Sequence, residues 1–342
     1  MANLNTTYLG IPLKNPLVAA SSGFTASVNK IKTLEAHGIG AIVLKSIFEE
    51  QITNRAEFEI DQSGDLGNPE AADYIKGYIK DNEIEQYLDL IKETKESVNI
   101  PVIASINCIS GDEWINYAHK FENAGADALE LNIFNVPGRT QSLEAIESLY
   151  TTIAERVVNK VNIPVAVKFS KYHTNITKMV DQFRARGIKG VVMFNRFYEP
   201  DFNLDKLTVT SSEVFSHPYD LRETLRWVGI VSSSVPLIDI AASTGIHDAD
   251  AVVKQLLAGA QVTQLCSTLY LNKVGVIDDI LKGVEEFMTK HKFKSIDDFR
   301  AKLSYQNIGN PAMYERAQFM KYFHNRENIQ DNKPTISYNP FQ

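Results

Sequence analysis

Two lysines and three asparagines close short apolar runs in this sequence, where they could carry chemistry that a hydrophobic core cannot. Lys45 ends GAIVLK (40–45), and Lys168 lies one residue from the end of IPVAVKF (163–169). Asn107, Asn132 and Asn195 end PVIASIN (101–107), ADALELN (126–132) and GVVMFN (190–195). An ammonium group in apolar surroundings is costly unless it meets an anionic or electron-rich partner. Either lysine alone could reach solvent at a loop or pair with a nearby glutamate; the set as a whole points to a site. Asparagine amides offer a donor and an acceptor together, as needed to read an imide or amide edge, although one Asn at such a place also serves as a turn former. A second set suits an anion. Ser243–Thr244–Gly245 follows VPLIDIAA (235–242) and opens a helix at His247–Asp248, so hydroxyls and backbone amides gather at a helix N-terminus. Cys266, Ser267 and Thr268, at the end of QVTQLC (261–266) and just after it, would complete that cradle.

These residues need elements to hold them. With NPLVAA (15–20), the apolar runs number eight, and they are short and β-branched, as in strands buried on both faces of a parallel sheet. Helical patterns lie between them. Val28, Ile31 and Leu34 share one face of 27–37 before Gly38; 112–124 opens on Asp112 and closes before Gly125; 248–258 opens on Asp248 and closes before Gly259. Eight strands alternating with helices predict an α/β fold, a single (β/α)8 TIM barrel, with a doubly wound open sheet as its rival. In a barrel the strand ends form the active face, so Ser21–Ser22–Gly23, Lys45–Ser46, Asn107–Cys108, Asn132, Lys168, Asn195, Ser243–Gly245 and Cys266–Ser267 would share one mouth. Residues 46–80 and 196–222 are expected as long loops after strands 2 and 6, of the kind that form lids. C-terminal helices are expected around 285–305 and 311–324. The barrel would span 1–325, and 326–342 would be a polar tail.

Composition narrows the function classes. Among 342 residues, 35 basic against 42 acidic groups give a net charge of -7, which disfavours a nucleic-acid partner held by phosphates. No apolar run reaches the roughly 18 residues that cross a bilayer. The opening MANLNTTYLGIPLKNP lacks a basic segment followed by an apolar one, so a cytoplasmic protein is expected. Two cysteines cannot build a disulfide framework and suit a reducing compartment. The seven histidines show no HxH or HExxH spacing, so no metal site is expected.

The sequence resembles the flavin-dependent dihydroorotate dehydrogenases of the soluble class, and more closely a set of bacterial dihydroorotate-dehydrogenase-like proteins. The resemblance rests on TTYLGIPLKNPLVAASSG (6–23), GAIVLKSIFEEQI (40–52), ALELNIFNVPG (128–138), IPVAVKFSKY (163–172), VVMFNRFYEPD (191–201), LRWVGIV (225–231) and LIDIAASTGIHDADAVVKQLLAGAQVTQLCSTLY (237–270). It implies FMN lying across the strand ends. Lys45 and Ser46 would contact flavin and substrate, Asn132 substrate and cofactor, and Lys168 the flavin N1/O2 edge. Asn195 and Asn135 would bind the pyrimidine. Ser21 and Ser22 would line the cofactor, and Ser243, Thr244, Gly245, Cys266 and Ser267 would hold its phosphate. The implied partners are a dihydroorotate-like substrate, a soluble electron acceptor and a second copy of the chain in a homodimer, in pyrimidine biosynthesis.

The sequence also departs from that family. Its members carry a catalytic Cys or Ser in a loop like Asn-x-Ser-Cys-Pro-Asn-Val-Pro-Gly. Here Asn132–Gly138 is two residues shorter and has no Cys, Ser or Thr. The segment Ser63–Gly64–Asp65 lacks the family's asparagine, Arg196 replaces a small residue, and Ser243–Thr244–Gly245 replaces Thr-Gly-Gly. Cys108 is the thiol expected to reach the mouth, as a substitute base beside Lys45, or else it is a small buried hydrophobe. Three readings therefore stand: a dihydroorotate-oxidising enzyme, an FMN-binding relative with another substrate or no catalysis, and a flavin-free barrel for a phosphorylated metabolite.

Overall fold

The computed structural model describes residues 2–63, 69–107, 113–135, 138–197 and 199–316. Eight parallel strands form the barrel: β1 (Leu17–Ala19), β2 (Ala41–Val43), β3 (Val102–Asn107), β4 (Ala128–Asn132), β5 (Val165–Phe169), β6 (Gly190–Met193), β7 (Asp239–Ser243) and β8 (Val262–Leu265). Each pairs with the next in chain order, and β8 pairs back with β1, so the sheet closes. The eight apolar runs of the sequence are these eight strands.

Strand periodicity divides the core in two. Val18, Ala41, Val43, Ile103, Ala128, Ala166, Val192, Ala241 and Val262 pack inside the barrel. Their alternates, among them Leu17, Ile42, Leu129, Val167, Val191 and Leu265, face the surrounding helices. The inward face of β4 therefore runs Ala128, Glu130, Asn132, that of β5 Ala166, Lys168, and that of β8 Val262, Gln264. On these three strands charge enters above the apolar floor.

An N-terminal hairpin, Thr6–Tyr8 with Ile11–Leu13, plugs the lower end. Leu9 and Gly10 turn it with φ of 57° and 77°, as a two-residue hairpin needs. Its buried Tyr8, Leu9 and Leu13 join the interior cluster, and the Leu9 N–H donates to Asp239 Oδ2 at 2.6 Å. Gly190 opens β6 beneath this plug, where a Cβ would lie 2.5 Å from Leu9 Cδ2.

The helices are α1 (Val28–Ala36), α2 (Glu49–Ser63), α3 (Pro69–Ser97), α4 (Glu113–Asn123), α5 (Leu143–Val158), α6 (Ile176–Ala185), α7 (Leu221–Ser234), α8 (Ala249–Ala258), α9 (Ser267–Leu271), α10 (Val276–His291) and α11 (Ala312–Glu315). Three expectations change. The span 46–80 is not a loop: after a short strand, Ile47–Phe48, it holds α2 and the start of α3. Ile84, Tyr87, Ile91, Thr94 and Val98 recur every three or four residues on the buried face of α3 and after its end, and Pro69 occupies the first helical position, where its missing N–H costs nothing. The span 196–222 is not all loop either: it contains an exposed hairpin, Pro200–Asn203 with Thr208–Ser211. Near the C-terminus, α10 ends at His291, closed by Lys292 in a left-handed conformation, and a short 3-10 turn, Ile296–Asp298, follows. Asp112, the remainder of the helix expected at 311–324 beyond residue 316, and the tail 326–342 lie outside the described residues.

Because Leu9 is buried at the plug, Leu9→Ala should destabilise the protein by about 2–5 kcal/mol, read as a lowered midpoint of urea unfolding. An unchanged midpoint would mean the hairpin is not part of the cooperative core.

Candidate functional site

The inward-facing layer above the apolar floor holds a buried polar triad. Lys168, Glu130 and Gln264 are 8%, 1% and 2% exposed. Gln264 Nε2 donates to Glu130 Oε2 at 2.6 Å. Lys168 Nζ donates to Gln264 Oε1 at 3.4 Å and stands 3.9 Å from Glu130 Oε1. Lys168 is where the sequence placed it. Glu130 and Gln264 were missed, although their period-two spacing from Ala128 and Val262 carries the signal. With one long hydrogen bond among the described residues, the ammonium keeps donors for a ligand at the mouth.

Beside it, hydroxyls form a chain across the ends of β1, β2 and β3. The Ser46 N–H donates to Ser21 Oγ at 2.8 Å, and Ser46 Oγ lies 3.0 Å from Ser21 Oγ and 2.7 Å from Ser105 Oγ. Tyr87 of α3 fixes this chain, accepting from the Ser105 N–H at 2.9 Å and donating to the Ser105 carbonyl at 3.2 Å. Burial pushes its phenol well above the ordinary tyrosine range. Lys45 lies next to Ser46, just past the end of its strand. Strand β2 ends at Val43, and the Lys45 side chain is exposed, lining a cavity of about 970 Å³ with Gln51 and Arg55 of α2 and Glu83 of α3.

Asn132 and Asn195 do meet: Asn195 Nδ2 donates to Asn132 Oδ1 at 2.7 Å. Among the described residues, that bond leaves the Asn132 amide donors and the Asn195 side-chain oxygen free, a donor and an acceptor side by side. The rings of Phe134 and Phe197, with centroids 4.4 Å apart, and of Tyr172, 5.1 Å from Phe197, flank the pair. Asn135 is half-buried, and its Nδ2 has no hydrogen-bond partner among the described residues. Arg196 donates to the carbonyls of Glu213 and Val214 at 2.9 and 2.6 Å. Its guanidinium thus ties down the segment before α7.

The anion turn is built differently from expectation. Thr244 and Gly245 have φ of 78° and 77°. Gly245 is required because a Cβ there would sit 2.2 Å from the Leu221 nitrogen, so this glycine admits the start of α7. Asp248 accepts from the Ala251 N–H at 2.8 Å, so α8 already carries an anion at its N-terminus. Ser216, which sequence reasoning missed, links the turn after β7 to the start of α9. The Gly245 N–H donates to Ser216 Oγ at 3.3 Å, the Ser216 N–H donates to Ser267 Oγ at 2.9 Å, and His247 Nε2 lies 3.2 Å from Ser216 Oγ. Ser216 thus brings Gly245 and Ser267 together, with Ser243 and Thr244 next in the chain, while the Thr244 hydroxyl donates to the Phe194 carbonyl at 3.1 Å. Cys266 precedes α9; burial pushes its thiol up, opposed by the charge of Lys168. Ser22 caps the short 3-10 turn that follows it, accepting from the Phe24 N–H at 3.3 Å, and the Gly23 N–H donates to the Tyr270 hydroxyl at 2.8 Å. Cys108 lies outside the described residues, as does Gly64–Asp65. Among the described residues, no group of three His, Cys, Asp or Glu could hold a metal.

Two histidines border the site, His247 at the anion turn and His173 against the rings of Tyr150 and Phe169, with centroids 4.8 and 5.6 Å away. Burial lowers both below the ordinary histidine value. A histidine depressed in the folded state takes its proton first in the unfolded chain. Stability should therefore fall as pH drops below about 6.5 and level off beneath the folded values. Urea midpoints across that window should show the loss, and His173→Phe should reduce it. A profile that is flat in the wild type, or as steep in the variant, would contradict this assignment.

The fold and site can now be set beside known proteins. The family model for dihydroorotate dehydrogenase matches residues 3–288. A dihydroorotate dehydrogenase B (NAD(+)), catalytic subunit, of Thermoplasma acidophilum is 25% identical over 311 residues, which covers 87% of this chain and 98% of the relative. A dihydroorotate dehydrogenase A (fumarate) of Lactococcus lactis subsp. cremoris is 24% identical over 317 residues, covering 88% and 99%. At this identity side chains have diverged widely, but the match runs through every barrel strand and every strand end described above. The chain belongs to the dihydroorotate dehydrogenase family.

Proposed function

We propose that this protein is an FMN-dependent oxidoreductase of the dihydroorotate dehydrogenase type, acting on a CH–CH donor and passing electrons to a soluble acceptor. The observation that supports it most is Lys168, a buried ammonium at a strand end with donors to spare. The residues present fit the cofactor chemically. An ammonium suits the electron-rich N1/O2 edge of a flavin, and the hydroxyls and amides of Ser243, Thr244, Gly245 and Ser267, with Ser216, suit a phosphate. Ser21, Ser22, Ser46, Asn132 and Cys266 would border the ring system. When bound, FMN supplies the acceptor for a hydride leaving the substrate.

The chain's own part is to bind and orient. The Asn132–Asn195 pair presents the donor and acceptor that an imide edge requires, and Asn135 adds an unpartnered amide donor. Lys45, exposed at the cavity beside Ser46, would meet a substrate carboxylate entering from that side. Oxidation of dihydroorotate releases a hydride from C6 and a proton from C5. No thiol or hydroxyl exists between Asn132 and Gly138 to accept that proton. Cys108, which follows β3 in the sequence, is the proposed substitute. A homodimer is part of this reading, for which the hairpin with exposed Phe202, Leu204, Leu207 and Val209 offers an apolar face. No helix among the described residues is long and apolar enough to cross a membrane; a cytoplasmic location and a place in pyrimidine biosynthesis complete the proposal. The missing loop base favours one second reading, an FMN-binding relative with another substrate.

Purified protein should show a flavin absorption spectrum, or acquire one with added FMN, and Lys168→Ala should weaken FMN binding. Protein that stays colourless after loading and removal of excess FMN would sink the proposal. Loss of a general base typically costs about 10²–10⁴-fold in rate. Anaerobic bleaching by dihydroorotate should accordingly be slow, and Cys108→Ala should abolish it. Fast bleaching that survives Cys108→Ala would assign the proton to another group, and bleaching only by other reductants would favour the second reading.

A further inference from the structure

We propose that Glu130, held by Gln264, is the residue that positions the Lys168 ammonium on the barrel axis and tempers the positive charge felt by the site above it. This rests on the reading that a flavin lies across the strand ends. Glu130 is 1% exposed, and its two oxygens are treated unequally. Oε2 accepts from Gln264 at 2.6 Å, whereas Oε1 has no hydrogen bond among the described residues and faces Lys168 Nζ at 3.9 Å. The Gln264 side chain bridges the two charges, its nitrogen on the carboxylate and its oxygen on the ammonium. Swinging Lys168 away would break that bridge and strand a buried carboxylate.

Among the described residues, the groups that meet the triad bring no second cation. Below lies Tyr8, whose phenol is buried and kept from ionising by desolvation and by the charges of Glu130 and Asp239. Cys266 faces Lys168 from the rim, and burial disfavours its thiolate. The interior strands around the triad present Val18, Val43, Ile103, Ala166, Val192 and Val262. Stability alone does not explain an ion pair in such a place, because well-packed apolar groups are often as stable or more so. What the pair does accomplish is electrostatic. Glu130 cancels part of the Lys168 charge at the mouth and holds the remainder in a fixed place.

Sulfite is the probe, because its binding to a flavin puts negative charge on the same N1/O2 edge. In FMN-loaded protein, Glu130→Gln should tighten sulfite binding by about tenfold, since it leaves Lys168 uncompensated, and Lys168→Met should weaken it by about tenfold. A residue with only a packing role would move neither constant. A separate arm uses FMN-free protein, with thermal unfolding as readout. Lys168→Met should lower the midpoint markedly by isolating Glu130, and adding Glu130→Gln should restore most of that loss. Unchanged sulfite affinity in Glu130→Gln overturns the charge-setting role, and a double variant no more stable than Lys168→Met overturns the pairing. If the wild type takes up no FMN, the flavin reading fails and the charge-setting role with it, while the FMN-free arm still decides whether Glu130 positions Lys168.

Discussion

A positive charge buried near the axis of a closed barrel is the constraint on which the rest of this structure depends. Lys168 projects inward because β5 alternates faces, and it has no route to bulk water through the apolar floor sealed by Tyr8, Leu9 and Leu13. Desolvating an ammonium costs several kcal/mol unless compensation is close. Glu130 and Gln264 supply it from β4 and β8, one on the neighbouring strand and one across the barrel. Lys168 is thereby held as a cation of fixed position, and an electron-rich ligand is its natural complement.

Around that charge, polar groups are already engaged with one another. Ser21, Ser46 and Ser105 form a chain fixed by Tyr87, Asn132 and Asn195 share a hydrogen bond, and Ser216 links Gly245 to Ser267. Such mutual satisfaction holds side chains in place at little conformational cost when a ligand arrives. Arg196 contributes indirectly, tying the segment that carries Ser216 through the Glu213 and Val214 carbonyls. The helices outside do comparable work: α3 brings Tyr87 to the serine chain, and α7 begins so close to Gly245 that no side chain fits there.

The barrel was legible because each strand is a compact β-branched run ended by a turn signal, and Lys168 was legible because a charge interrupts such a run. Glu130 was not. In ADALELN it alternates with Leu129 and Leu131, which reads equally well as a solvent-facing position until closure of the sheet turns that face inward. The glycines and proline at 64–69 made the whole span 46–80 look like a loop, whereas helices α2 and α3 flank them on either side. Asp248 looked like the opening of an anion-binding helix; its own carboxylate occupies that role. Lys45 was grouped with Lys168 by its place at the end of a run; β2 stops two residues earlier, and the lysine is exposed at a cavity that it lines together with Ser46. Ser216 carries no local signal, because its position is set by the meeting of two distant turns.

The proposed function is spatial: one mouth, with Lys168 at its floor and the Ser216–Gly245–Ser267 cradle at its rim, would hold a single flavin nucleotide. A crystal structure of the protein grown with FMN tests it most directly. The account expects the isoalloxazine N1/O2 edge within hydrogen-bond distance of Lys168 Nζ and the phosphate on the amides and hydroxyls of the cradle. A flavin bound elsewhere, or bound in the mouth with its phosphate away from Gly245 and Ser267, would contradict it.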